Sequence, residues 1–162
     1  MNNIFKIVIL LLSLTLIQCS SDDSNESGRL LVNGEEFKLG TALVEDGSNL
    51  ILFTLVEKTP IAYNNRIIQV VAMHPDGTAT GTYQLRSNII ETGIANIGIY
   101  DSELEQLAGG SVNQPTGTLT VTHIDGKKYK LVFNDVTLDP NTATETTISG
   151  SCLKTFSSGN SD

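Results

Sequence analysis

From Arg29 onward the chain is punctuated at short intervals by residues that turn a backbone sharply: Asn33-Gly34, Asp46-Gly47, Pro60, Asn64-Asn65, Pro75-Asp76-Gly77, Asp125-Gly126 and Asp139-Pro140-Asn141. The stretches between them are short and rich in Thr, Val and Ile. That punctuation leaves no room for a set of helices and predicts short strands joined by turns. Leu30-Leu31-Val32 running into Asn33-Gly34 is a hairpin signal, because both turn residues accept positive φ. Leu50 to Val56 is apolar at nearly every position, and Ile67 to Met73 is similar. Runs of that kind suit strands covered on both faces at the centre of a sheet. Gly81 to Leu85 alternates with Tyr83 and Leu85 inward, and Ile94 to Tyr100 points Ile97 and Ile99 to one face.

The clearest hairpin joins Gly117–Ile124 to Lys127–Leu138. A two-residue turn at Asp125-Gly126 sets Val121 across from Lys130. A three-residue loop, Ile124-Asp125-Gly126, sets Val121 opposite Tyr129 and Leu119 opposite Leu131. Cross-strand neighbours share a face, so the second register gathers the apolar residues and is the one predicted. A last strand, Thr146 to Phe156, lines up Ile148, Cys152 and Phe156. One helical signal interrupts the series: Ser102 and Glu105 have capping-box spacing, and Leu104 and Leu107 lie a turn apart. The expectation is an all-β fold, a single antiparallel sandwich or closed barrel of about eight to ten strands, with at most one short surface helix.

The first residues read differently. Lys6 precedes an apolar run from Ile7 to Ile17. As helix that run spans ~16 Å, about half of a bilayer's hydrocarbon core, so it fits a secretion signal better than a membrane span. After Cys19 the chain turns abruptly to Ser20-Ser21-Asp22-Asp23-Ser24-Asn25-Glu26-Ser27-Gly28, with almost nothing to bury. The predicted organisation is a signal peptide over 1–18, a tether over 19–28, one domain over 29–157 and a tail over 158–162.

Leu16-Ile17-Gln18-Cys19 resembles the lipobox of bacterial lipoproteins, although Gln18 stands where that pattern prefers Gly, Ala or Ser. The resemblance implies a diacylglycerol on the Cys19 sulfur and an acylated amino group, enough chains for stable anchoring. Ser20 after the cysteine is similar to the outer-membrane sorting pattern. Asp22-Asp23 looks like the acidic export signal of Bacteroidetes-type surface lipoproteins. The domain also resembles small Bacteroidetes lipoproteins of unknown function, through Val32-Asn33-Gly34-Glu35, Gly81-Thr82-Tyr83, the Gly117 to Thr122 strand and the Ile148 to Ser151 segment. The implied location is the cell envelope, lipid-anchored at the outer membrane and exposed at the cell surface.

Composition narrows the partners. The formal charge is −8, and loss of Lys6 with the leader makes the mature chain more negative still. Such a chain repels phosphate backbones, so nucleic acid is excluded as a partner class, while the membrane, a protein or a glycan remain. Acylation of Cys19 leaves Cys152 a lone thiol, read as a small buried apolar residue.

Candidate chemistry is sparse. His74 opens a Pro-Asp-Gly turn beside Asp76, but two ligands on one turn do not make a zinc site. His123 reads as a strand-end boundary residue. A Cys152–His nucleophile lacks a basic, cleft-like context. Asp139, Asn141 and Glu145 lack the Gly and third acid of a calcium loop and read as a polar turn. Lys127, Lys128 and Lys130 beside Tyr129 read as a solvated hairpin tip, with an anion or glycan patch as the alternative. The sequence therefore predicts no catalytic residues, no metal and no cofactor. It predicts a non-catalytic binding or interaction module, with a lipocalin-like carrier as the alternative and a hydrolase third. The carrier needs a pocket lined by Phe37, Phe53, Tyr83, Tyr129 and Phe133; the module expects those rings to fill the centre.

Overall fold

A computed structural model describes residues 28–60, 65–75, 78–89, 91–109 and 113–158. The predicted signal peptide, Cys19, Asp22 and Asp23 lie outside the described residues, as does Asp76.

The fold is all-β, with no helix among the described residues. Twelve strands follow in order: β1 Leu30–Val32, β2 Glu35–Glu36, β3 Leu39–Asp46, β4 Leu50–Glu57, β5 Ile67–Met73, β6 Gly81–Leu85, β7 Ile94–Tyr100, β8 Gln106–Ala108, β9 Thr116–Asp125, β10 Lys128–Leu138, β11 Thr146–Thr155 and β12 Ser157–Ser158. This exceeds the eight to ten expected, because β8 and β12 are pairings of two or three residues that no hydrophobic period marks. All belong to one curled sheet, a half-barrel, in the order β12-β3-β4-β5-β7-β6-β9-β10-β11-β1-β2, with β8 on β7. The expected purely antiparallel pairing is corrected: β6 runs parallel to β7, and β12 parallel to β3. After Phe156, β12 continues β11 and pairs with the opposite flank of the sheet, Ser157 beside Leu43 and Ser158 beside Val44.

Period-2 alternation builds one core. On β4, Ile51, Phe53 and Leu55 are fully buried; on β5, Ile68, Val70 and Ala72 are. The outer residues of β4, Leu52, Thr54 and Val56, are half-buried, so the strand is central but not covered on both faces. Lateral neighbours shield them instead, Leu52 beside Val71 and Val56 beside Ile67. Phe37, Phe53, Tyr83, Tyr129 and Phe133 are all buried and fill the centre. Phe53 meets Tyr129 and Phe156 edge-on at 5.1 and 5.2 Å between ring centroids.

Three local expectations change. The predicted helix is a turn: the Asp101 carboxylate accepts from the backbone N–H groups of Glu103 and Glu105, Leu104 takes φ 63°, and the chain re-enters the sheet as β8. The carboxylate captures the N–H groups before a helix can propagate. The β9–β10 register is also corrected. Val121 faces Leu131, Leu119 faces Phe133 and Tyr129 faces His123, two residues from the predicted alignment. Asp125 pairs with Lys128 around the Gly126-Lys127 turn, and Ile124 is extruded as a bulge that leaves it half exposed. A two-residue slip keeps every side chain on its own face, so the inward set is unchanged while its partners move. The third change concerns His74, a solvated turn residue by sequence, which is buried.

Candidate functional site

One end of the curled sheet gathers residues that are far apart in the sequence. The β3–β4 turn brings Asp46 and Gly47, the residues after β5 bring His74 and Ala79, and the β9–β10 hairpin brings His123 and Tyr129. They enclose a hollow of about 340 Å3. It adjoins an open cleft of about 640 Å3 whose walls include Glu45, Asp46, Leu50, Leu52, Val71 and Tyr129.

The electrostatics of this rim centre on Asp46. His74, with 4% of its side chain exposed, sits 3.4 Å through Nε2 from Asp46 Oδ1. Its Nδ1 lies 2.9 Å from the Pro75 carbonyl, and a carbonyl can only accept, so Nδ1–H donates there. Nε2 is left without a hydrogen-bond partner, at ion-pair distance from Asp46 but outside hydrogen-bonding geometry. The Asp46 side chain is itself half exposed. Burial first, and then the Asp46 carboxylate, push the phenols of Tyr83 and Tyr129 above the ordinary tyrosine value. Tyr83 donates its hydroxyl to the Ala79 carbonyl at 2.6 Å, which ties Ala79 to the core side of β6. His123 stacks on Tyr129 at 4.7 Å and hydrogen-bonds through Nε2 to the Gly126 carbonyl at 2.8 Å, so it closes the hairpin as a boundary residue.

The other sequence candidates lie elsewhere. Cys152 is buried in the core, and its thiol is pushed up to about 12 by desolvation, against a weaker lowering by its hydrogen bond with the Leu131 backbone. A thiol held in that state is a poor nucleophile. Asp139 is buried at the opposite end; it accepts from the Gly109 N–H at 2.8 Å, and Asn141 donates its N–H to Glu145, which makes the segment a pinned turn. Lys127 bonds the Ser158 hydroxyl and Lys130 points to solvent. Among the described residues no three His, Cys, Asp or Glu side chains cluster to hold a metal, and no helix is long and apolar enough to cross a membrane. Sequence reasoning missed Asp46, which carries only a turn signal, and the bidentate pair of Arg66 with buried Glu57 at 2.7 and 2.8 Å. That pair braces the end opposite the cleft, where Glu57 holds the Arg66 guanidinium above its ordinary value.

The chain matches no protein-family model, no curated protein and no solved structure.

Proposed function

We propose that this chain is a lipid-anchored envelope module that binds a partner at the rim cleft and performs no chemistry of its own. The observation that carries this is the filled centre: with Phe53, Tyr83, Tyr129 and Phe133 packed inside, a wide open concavity lies at the rim, around Asp46. An enclosed carrier cavity would need that same space. In the same reading the half-barrel is a barrel wall whose seam is β12 against β3. A photo-crosslinking amino acid at position 50, on the cleft, should give a discrete crosslinked species in cells. The same group at position 107, at the far end of the sheet, should give none. Crosslinking from neither position, or equally from both, would sink the reading.

The anchor rests on Lys6, the apolar run and Leu16-Ile17-Gln18-Cys19. Cys19→Ala should move the protein from the membrane to the soluble fraction, and a clickable fatty acid should label the wild type alone. An unlabelled wild type would end the proposal. The reading also assigns Asp22 and Asp23 the choice of membrane face. With both changed to Ala, protease added to intact cells should spare the variant and digest the wild type; equal protection would reduce the pair to linker.

A further inference from the structure

We propose that the rim cleft receives a basic, aliphatic peptide segment of a partner protein, with the cationic head against Asp46 and Glu45 and the aliphatic side chains on Leu50, Leu52 and Val71. This rests on the reading of the rim as the binding face and names the chemistry of what it binds. Charge is the first argument. The chain carries −8 overall, and the lip of the cleft is lined by two carboxylates, Glu45 beside Leu52 on the outer face and Asp46 beside Ile51 at the end of β3. Among the described residues the one basic group within 4 Å of either carboxylate is His74, whose Nε2 lies 3.4 Å from Asp46 Oδ1. Nδ1–H of His74 donates to the Pro75 carbonyl, and Nε2, which has no hydrogen-bond partner, stands 3.4 Å from Asp46 Oδ1 outside hydrogen-bonding geometry, so this carboxylate receives no donor from the ring. Lys127, the basic residue of the lining, is held by the Ser158 hydroxyl. The lip therefore asks for positive charge and N–H donors.

The floor makes the second demand. Leu50 is 39% exposed, and beside it Leu52 and Val71, paired across β4 and β5, keep their outward faces half open. An apolar run on both parities of β4 is what a strand needs when both faces are covered, and this chain covers one. Aliphatic side chains placed there lose water-exposed area; sugar hydroxyls gain nothing from such a floor. Nor is an aromatic platform open to a sugar ring, since Tyr129 is buried beneath His123. A cleft of about 640 Å3 is within the range of ligand sites, roughly 300–1,000 Å3. A cation and an aliphatic group spaced along one extended backbone meet both demands, which is the chemistry of a peptide alternating Arg or Lys with Leu, Ile or Val.

Fluorescence anisotropy tests this, with a labelled nonapeptide alternating Leu and Arg titrated with the full chain at low and physiological salt. Binding should be saturable and should weaken with salt. It should vanish when Glu replaces Arg in the peptide, and weaken at least tenfold when Ser replaces Leu. Asp46→Asn with Glu45→Gln should weaken it at least tenfold and remove most of the salt dependence. Leu50→Ser should weaken it and leave the salt dependence in place. Glu35→Gln with Glu36→Gln, on the far flank of the sheet, should change nothing; an equal loss there would mean general charge attraction and overturn the site. Absence of saturable binding, or displacement of the peptide by a neutral oligosaccharide, overturns the peptide assignment. If position 50 still crosslinks a partner in that case, the ligand class falls while the rim remains the binding face. If it does not, both fall.

Discussion

Phe53→Ala should cost about 3–5 kcal/mol and lower the melting temperature by on the order of 10 °C. The ring is fully buried and forms one corner of an aromatic triad. It meets Tyr129 at 5.1 Å and 72°, and Phe156 at 5.2 Å and 61°, while those two meet each other at 5.8 Å and 87°. Edge-to-face contacts of this kind add about 0.5–1.5 kcal/mol each beyond the area buried. The triad draws on β4, on β10 and on the residue between β11 and β12, so it ties one flank of the curled sheet to the other. Truncation therefore opens a cavity where the surrounding backbone is held by ladder hydrogen bonds and collapses poorly. Lys130→Ala, on the outer face of β10, should shift stability by less than ~0.5 kcal/mol. Denaturant melts of the two variants decide the matter. A loss below about 1 kcal/mol for Phe53→Ala would mean that the triad is not packed as described.

What could be read from the chain, and what could not, follows from which physical quantity each feature depends on. Faces were legible because side-chain alternation is local: Tyr83 and Leu85, Ile97 and Ile99, and Ile148, Cys152 and Phe156 all point inward as predicted. The Asn33-Gly34 hairpin was legible because its turn needs two positive φ angles, and they are 53° and 78°. Register was not. Alignments of β9 and β10 that differ by two residues bury the same side chains, and the deciding event, extrusion of Ile124, leaves no pattern of its own. The capping-box spacing of Ser102 and Glu105 misled for a related reason: Asp101 competes for the same N–H groups, and its short side chain closes a turn. The candidate site was the least legible. Asp46, His74, His123 and Tyr129 meet because four strand ends converge, and a convergence set by the order β3-β4-β5-β7-β6-β9-β10 has no signature in any one segment.

The Ile148 to Ser151 segment shows a motif whose physical reason emerges with the fold, and it yields the second large effect. Gly150 takes φ 95°, and a Cβ built on it would stand 2.0 Å from the Arg29 carbonyl oxygen. That oxygen accepts from the Ser151 N–H at 3.0 Å, and Leu30 lies opposite Gly150 across the β1–β11 pair. On its other side Gly150 pairs with Phe133, next to the bulge in which Asp135 takes φ 48°. Gly150→Ala is thus penalised twice. Backbone strain at positive φ costs about 1–3 kcal/mol, and the added methyl meets main chain, which cannot rotate away as a side chain would. The total should exceed ~3 kcal/mol, with β1 lifted off β11 and the Ser151 amide losing its protection from hydrogen exchange. Gly34→Ala is the matched control. Its φ of 78° is also left-handed, but nothing lies within 4 Å of the new methyl, so strain alone, about 1–2 kcal/mol, should be felt and the Ser151 amide should stay protected. If the two variants lose equal stability and keep equal protection, β1 does not close against Gly150. The early strand would then be an unpaired flank, and Leu30 and Val32 would lose the partner that buries them.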